Sequence, residues 1–96
     1  MPHFVRLTSF TSDGAKDMKN FASRRKEFLA TAQKLKMRII AEYVLAGKYD
    51  ILTILEAPDL ATVMRLSAMM GLGGRTRTET LGAIPADEFE KISQSI

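Results

Sequence analysis

Gly47-Lys48-Tyr49-Asp50 places a phenol and a carboxylate side by side after a turn glycine. Tyr49 and Asp50 can present these groups to a ligand. An Asp beside a turn equally serves as a local acceptor for backbone amides, and a Tyr equally packs at an interface. Arg6 and Glu42 lie in strand-like segments. A buried Arg–carboxylate pair binds an anion or tunes an acid, and the same pair also makes interface salt bridges. Arg77 and Glu79 share one face of a later strand-like segment. On an exposed edge such charges also discourage aggregation. Arg6, Glu42, Tyr49, Asp50, Arg77 and Glu79 form the candidate ligand-binding set. No catalytic residue stands out.

Other chemistries are poorly supplied. With no Cys there is no disulfide, thiolate metal site or thiol nucleophile. His3 is the only histidine, so a Ser-His-Asp triad has only this near-terminal residue to use. Transition metals favour His and Cys, so no metal and no cofactor are expected. A haem held by His3 has no second signal. Gly71-Leu72-Gly73-Gly74-Arg75-Thr76 looks like a phosphate loop, but it follows a helical segment and enters a strand. Phosphate loops lead into a helix N-terminus. Pro2 would offer a general-base amine, as in tautomerases, only after loss of Met1, and no partner residue accompanies it. The six Met residues read as adaptable core filler.

Charge is unevenly spread. Residues 16–38 carry eight basic and two acidic side chains, a net +6, which leaves −3 for the rest. Such a segment attracts phosphates or anionic lipid. It lacks aromatic interleaving and any groove-reading motif, so it reads as a solvated helix face, and a nucleic-acid partner is not expected. The 96 residues are 46% hydrophobic and fit one domain, 1–96. No apolar run reaches the ~18 residues of a membrane span. No basic-then-apolar signal segment opens the chain, and the expected location is cytoplasmic. A chain this short buries only ~60–65% of its unfolded surface, which makes self-association useful.

The elements that must position these residues follow from periodicity. His3–Phe10 alternates as a half-exposed strand. A turn at residues 11–14 leads to a short helix over 15–19 and a longer one over 22–36. On the longer helix Phe21, Phe28, Ala32 and Leu35 form a stripe, with the basic groups opposite. Residues 38–46 and 49–57 read as strands joined by a two-residue type II′ turn at Gly47-Lys48. Asp59 caps a helix reaching about Met70, with Leu60, Val63, Met64 and Ser67 near one face. The glycines at 71–74 end it. Residues 75–84 read as the last strand. Pro85 opens a final helix with Phe89 and Ile92 inward.

The order β-α-β-β-α-β is the ferredoxin-like one, an α+β fold with a four-stranded antiparallel sheet and an extra C-terminal helix. The expected strand order is 4-1-3-2. A two-residue turn pairs Val44 with Ile51 and Glu42 with Thr53. Tyr43, Leu52, Ala41 and Ile54 then share the more uniformly apolar face, which is assigned to the helices. Arg6, Thr8, Glu42, Tyr49 and Thr53 are assigned to the open face. The open face is expected to bury Phe4, Thr8, Ile40, Val44, Ile51 and Leu55 against a second copy. A ligand pocket is expected there, near Arg6, Glu42 and Tyr49.

Gly47-Lys48-Tyr49-Asp50 runs into ILTILEAPD. RTRTETLGAI stands at residues 75–84, and the chain opens with HFVRLTSFTSDG. Together these resemble the GYD domain family, named for Gly-x-Tyr-Asp variants at this hairpin, from about His3 to Phe89. The resemblance implies a ferredoxin-like fold of the dimeric α/β-barrel type and little chemistry. The motif is also similar to the effector-binding domains of feast/famine transcription regulators, which bind small molecules at subunit contacts. This chain contains no helix-turn-helix DNA reader. The expectation is a homo-oligomeric small-molecule-binding or regulatory protein, a homodimer or higher homo-oligomer. The alternative is a cofactor-independent isomerase or monooxygenase, which rests on fold analogy alone.

Overall fold

A computed structural model describes all 96 residues. The elements are β1 (His3–Phe10), α1 (Ser12–Lys16), a 3-10 turn at Met18–Asn20, α2 (Phe21–Lys34), β2 (Arg38–Val44), β3 (Ile51–Glu56), α3 (Leu60–Gly71), β4 (Thr76–Ala83) and α4 (Ala86–Gln94). The strands form one antiparallel sheet in the order β2-β3-β1-β4, as the sequence leads one to expect. α1 begins at Ser12, earlier than expected, because the Thr11 hydroxyl accepts from the Gly14 amide and so supplies the cap. Asp59 caps α3 in the same way, accepting from Thr62 N at 2.8 Å. No helix is long and apolar enough to cross a membrane.

The β2–β3 register is the expected one, with Val44 opposite Ile51 and Glu42 opposite Thr53. The connection is wider than a two-residue turn. It runs from Leu45 to Asp50 and is closed by Leu45 N donating to Asp50 O at 2.7 Å. Gly47 has φ 137°, a conformation side chains rarely adopt. A bulge between Ile39 and Ala41 leaves Ile39, not Ile40, opposite Leu55.

The helices cover the face opposite to the one expected. Phe4, Leu55 and Ala57 pack with Phe28, Ala32, Met37, Val63 and Leu66 in one core. Arg6, Thr8 and Thr53 are buried on that same side, at 4%, 6% and 1% exposure. Phe4, Thr8 and Leu55 therefore belong to the core rather than to a subunit contact. Tyr43, Leu52, Ile54, Val5, Leu7 and Leu81 alternate onto the uncovered face. Uniform apolarity misleads here because the helix side of the sheet carries a polar cluster.

Two helix faces also differ from expectation. α3 buries Val63 and Leu66, while Leu60 and Met64 are exposed. α4 leaves Phe89 and Ile92 exposed and makes almost no contact with the other elements. The radius of gyration is 14.6 Å, against ~12.5 Å for a compact chain of this length.

Candidate functional site

Between the helix side of the sheet and the helices lies a cavity of about 390 Å³. β1 contributes Arg6 and Thr8, β2 Glu42, and β3 Ile51 and Thr53. The far wall comes from α2, from the end of α3 and from the Gly73–Arg75 loop. That loop is tied down at its base. Thr11 N donates to Arg75 O at 3.0 Å, and the Thr11 hydroxyl donates to Gly74 O at 2.7 Å. Gly14 is needed there, since a Cβ would stand 2.1 Å from Arg75 O.

Arg6 dominates the cavity floor. Its Nη2 donates to Ser67 Oγ at 3.4 Å, and its guanidinium lies 5.2 Å from the centre of the Phe28 ring. Its Nε is buried with no acceptor. Burial pushes the Arg6 pKa down to about 10, with the charge of Glu42 pulling the other way. Glu42 itself is engaged by Arg25, whose Nε donates to Oε1 at 2.6 Å, and by Thr53, whose hydroxyl donates to Oε2 at 3.5 Å. On the first turn of α2, Arg24 pairs with Asp17, as does Arg75 at 3.3 Å. The Arg24 Nε is also buried without an acceptor. Desolvation and then the like charge of Arg75 lower its pKa, and Glu27 opposes them.

The six candidates therefore divide into two groups. Arg6 and Glu42 meet in the helix-side cavity rather than on the open face. Tyr49 and Glu79 meet at the other side of the sheet, where the Tyr49 hydroxyl donates to Glu79 Oε2 at 3.0 Å. Arg77 lines the same shallow cleft. Asp50 lines it too, but its Oδ2 accepts from Phe10 N at 2.8 Å, so its carboxylate is committed to the backbone.

Sequence reasoning misses Arg24, Arg25 and Arg75. It sets the first two opposite the apolar stripe. Phe21, Arg24, Arg25 and Phe28 stand at i, i+3, i+4 and i+7, so they share one helical face, and that spacing is the available signal. Arg75 has none, because the glycine loop leaves its position free.

Residues 4–93 match the GYD domain. The chain belongs to the GYD domain family. Within it, a Thermus thermophilus protein is 36% identical over 90 residues, covering 93% of this chain and 95% of the relative; it is called "Glutamine synthetase and cystathionine beta-lyase binding protein". Two solved structures share the fold. The crystal structure of TTHA0845 from Thermus thermophilus has a TM-score of 0.54 at 20% identity, covering 88% of this chain and 95% of that one. The C-terminal domain of the MgtC protein from Mycobacterium tuberculosis gives 0.56 at 16% identity, covering 85% and 86%. The fold of this GYD domain is ferredoxin-like and of the dimeric α/β-barrel type.

Proposed function

We propose that this GYD domain protein is a homo-oligomeric, small-molecule-binding regulatory protein whose ligand enters the helix-side cavity. The buried Arg6 guanidinium carries this reading, because Arg6 lines the cavity and its Nε is buried without an acceptor. Native structures seldom leave such a donor unsatisfied. The carboxylate beside it, Glu42, is occupied by Arg25 and Thr53, which favours binding over acid–base turnover. The name of the Thermus relative favours regulation by contact with an enzyme.

Assembly through the open sheet face fits the same reading. Val5, Leu7, Leu52, Ile54, Tyr43 and Leu81 form an apolar surface, and α4, with Phe89 and Ile92 exposed, makes almost no contact with the sheet. Removing ~400 Å² of apolar area from water is worth about 10 kcal/mol before association costs. A symmetric pairing meets the need with one sequence.

The test is a thermal-shift screen of metabolites, with each hit then assayed for turnover. Hits that stabilise the chain and remain unchanged support a binder. Turnover of a hit moves the assignment to the cofactor-independent enzyme. A screen without hits removes the small-molecule reading.

A further inference from the structure

We propose that the cavity is built for a monocarboxylate with an apolar body, and that Arg6 receives its carboxylate. This rests on the reading that the cavity is the ligand site.

The sign and size of the ligand charge follow from the groups lining the cavity. Four arginines, Arg6, Arg24, Arg25 and Arg75, face three carboxylates, Asp17, Glu27 and Glu42. Asp17 serves Arg24 and Arg75, Glu27 adds its charge beside Arg24, and Glu42 serves Arg25. The surplus is one positive charge, and it falls on Arg6, the only one of the four that is fully buried. A buried cation without a counter-charge is unfavourable, and a single anion relieves it.

The donors fit a carboxylate. Arg6 Nε and Arg24 Nε, on β1 and α2, both lack acceptors. A carboxylate only accepts, with about four lone-pair positions on two oxygens. Charge-assisted bonds from guanidinium are among the stronger ones available.

The apolar part of the lining, Phe10, Phe21, Phe28, Ile51, Met70 and Leu72, fits an apolar body, and the hydroxyls of Thr8, Thr53 and Thr76 are the uncharged polar groups beside it. The volume of about 390 Å³ lies in the ~300–1,000 Å³ range of small-molecule sites. A phosphate dianion exceeds the surplus charge. An α-amino acid brings an ammonium into a lining that is already net positive.

The experiment follows arginine Nε–Hε resonances of the isotope-labelled full chain. Separate titrations use 3-phenylpropanoate, 3-phenylpropan-1-ol, phenylalanine, phenyl phosphate and inorganic phosphate. The expected result is saturable movement of the Arg6 resonance with 3-phenylpropanoate and none with the alcohol. Arg6→Met should weaken binding by about ten- to hundredfold and raise the Tm of the ligand-free chain, because it removes an uncompensated buried charge. Arg6→Lys keeps the charge but loses the Nε donor, and should fall between the two.

Saturation by phenylalanine or a phosphate, with none by 3-phenylpropanoate, overturns the ligand class and keeps the cavity as the site. An immobile Arg6 resonance with every probe, alongside metabolite hits that map elsewhere, overturns the cavity and keeps the binding function. An immobile resonance and an empty screen overturn both. Unchanged 3-phenylpropanoate affinity in Arg6→Met, with a lowered Tm, makes Arg6 purely structural and overturns the proposal.

Discussion

Arg25 holds Glu42 at 2.6 Å, from Nε to Oε1, and so keeps the carboxylate whose charge acts on Arg6 engaged elsewhere. The pair links α2 to β2. Arg25 is half exposed while Glu42 is nearly covered, so the link itself adds little stability. Its importance is electrostatic, since it leaves Arg6 as the unpaired cation.

Arg25→Gln should release Glu42 to compensate Arg6. Binding of 3-phenylpropanoate should weaken severalfold, while unfolding stability changes by no more than ~1 kcal/mol. Glu42→Gln should act the other way, tightening the anion severalfold and lowering the Tm. Calorimetric titration and thermal unfolding of both variants check the pair, and equal effects of the same sign would sink the argument.

The pH dependence follows from Arg6. Its folded pKa is about 10, well below the ordinary arginine value. Above pH 10 the folded chain has lost the proton that the unfolded chain still holds. Arg6 therefore destabilises fully below its folded pKa, and this cost shrinks as pH rises above about 10 toward the ordinary arginine value. The Tm advantage of Arg6→Met over the parent chain should be constant from pH 7 to about 9 and narrow above about 10. Monocarboxylate affinity should fall over the same upper range, because the charged Arg6 is the binding form.

Leu52 and Leu55 sit three residues apart on β3 and face opposite sides. Leu55 is 0% exposed in the core, and Leu55→Ala should cost about 2–5 kcal/mol in denaturant unfolding. Leu52→Lys should leave the circular dichroism of the chain intact and shift its light-scattering mass toward the monomer. A parent chain that is already monomeric at high micromolar concentration would remove the open face as a subunit contact.

Gly14→Ala drives a methyl group into the Arg75 carbonyl, a backbone atom that cannot rotate away. The expected loss is about 1–3 kcal/mol. Hydrogen exchange should report it first at the Thr11 amide, which donates to that carbonyl.

Much of the fold was legible because it depends on local periodicity. The alternation in His3–Phe10, the Asp59 cap and the strand order all follow from short-range pattern. The β2–β3 register was legible as well, since a two-residue turn and the actual six-residue connection share the same offset at Val44 and Ile51. The faces were not. Apolarity ranks a face by what it seeks to bury against, and a core that encloses Arg6, Thr8 and Thr53 looks like a solvent face in one dimension. The cavity was half legible. Arg6 and Glu42 stood out as a pair, whereas Arg75 reaches the site only through a glycine loop of free geometry.

The tie between Thr11 and Arg75 joins residues 64 positions apart, and every β1–β4 pair is at least 66 apart. Contacts of such high sequence separation form slowly, because loop closure precedes the reward. During synthesis β1 must wait for β4, the last strand to leave the ribosome, before the sheet and the Gly73–Arg75 wall of the cavity can close. On the proposed reading, a ligand held by Arg6 beside the Gly73–Arg75 loop is captured only after β4 has paired with β1, so occupancy would mark a closed sheet as well as the presence of the ligand.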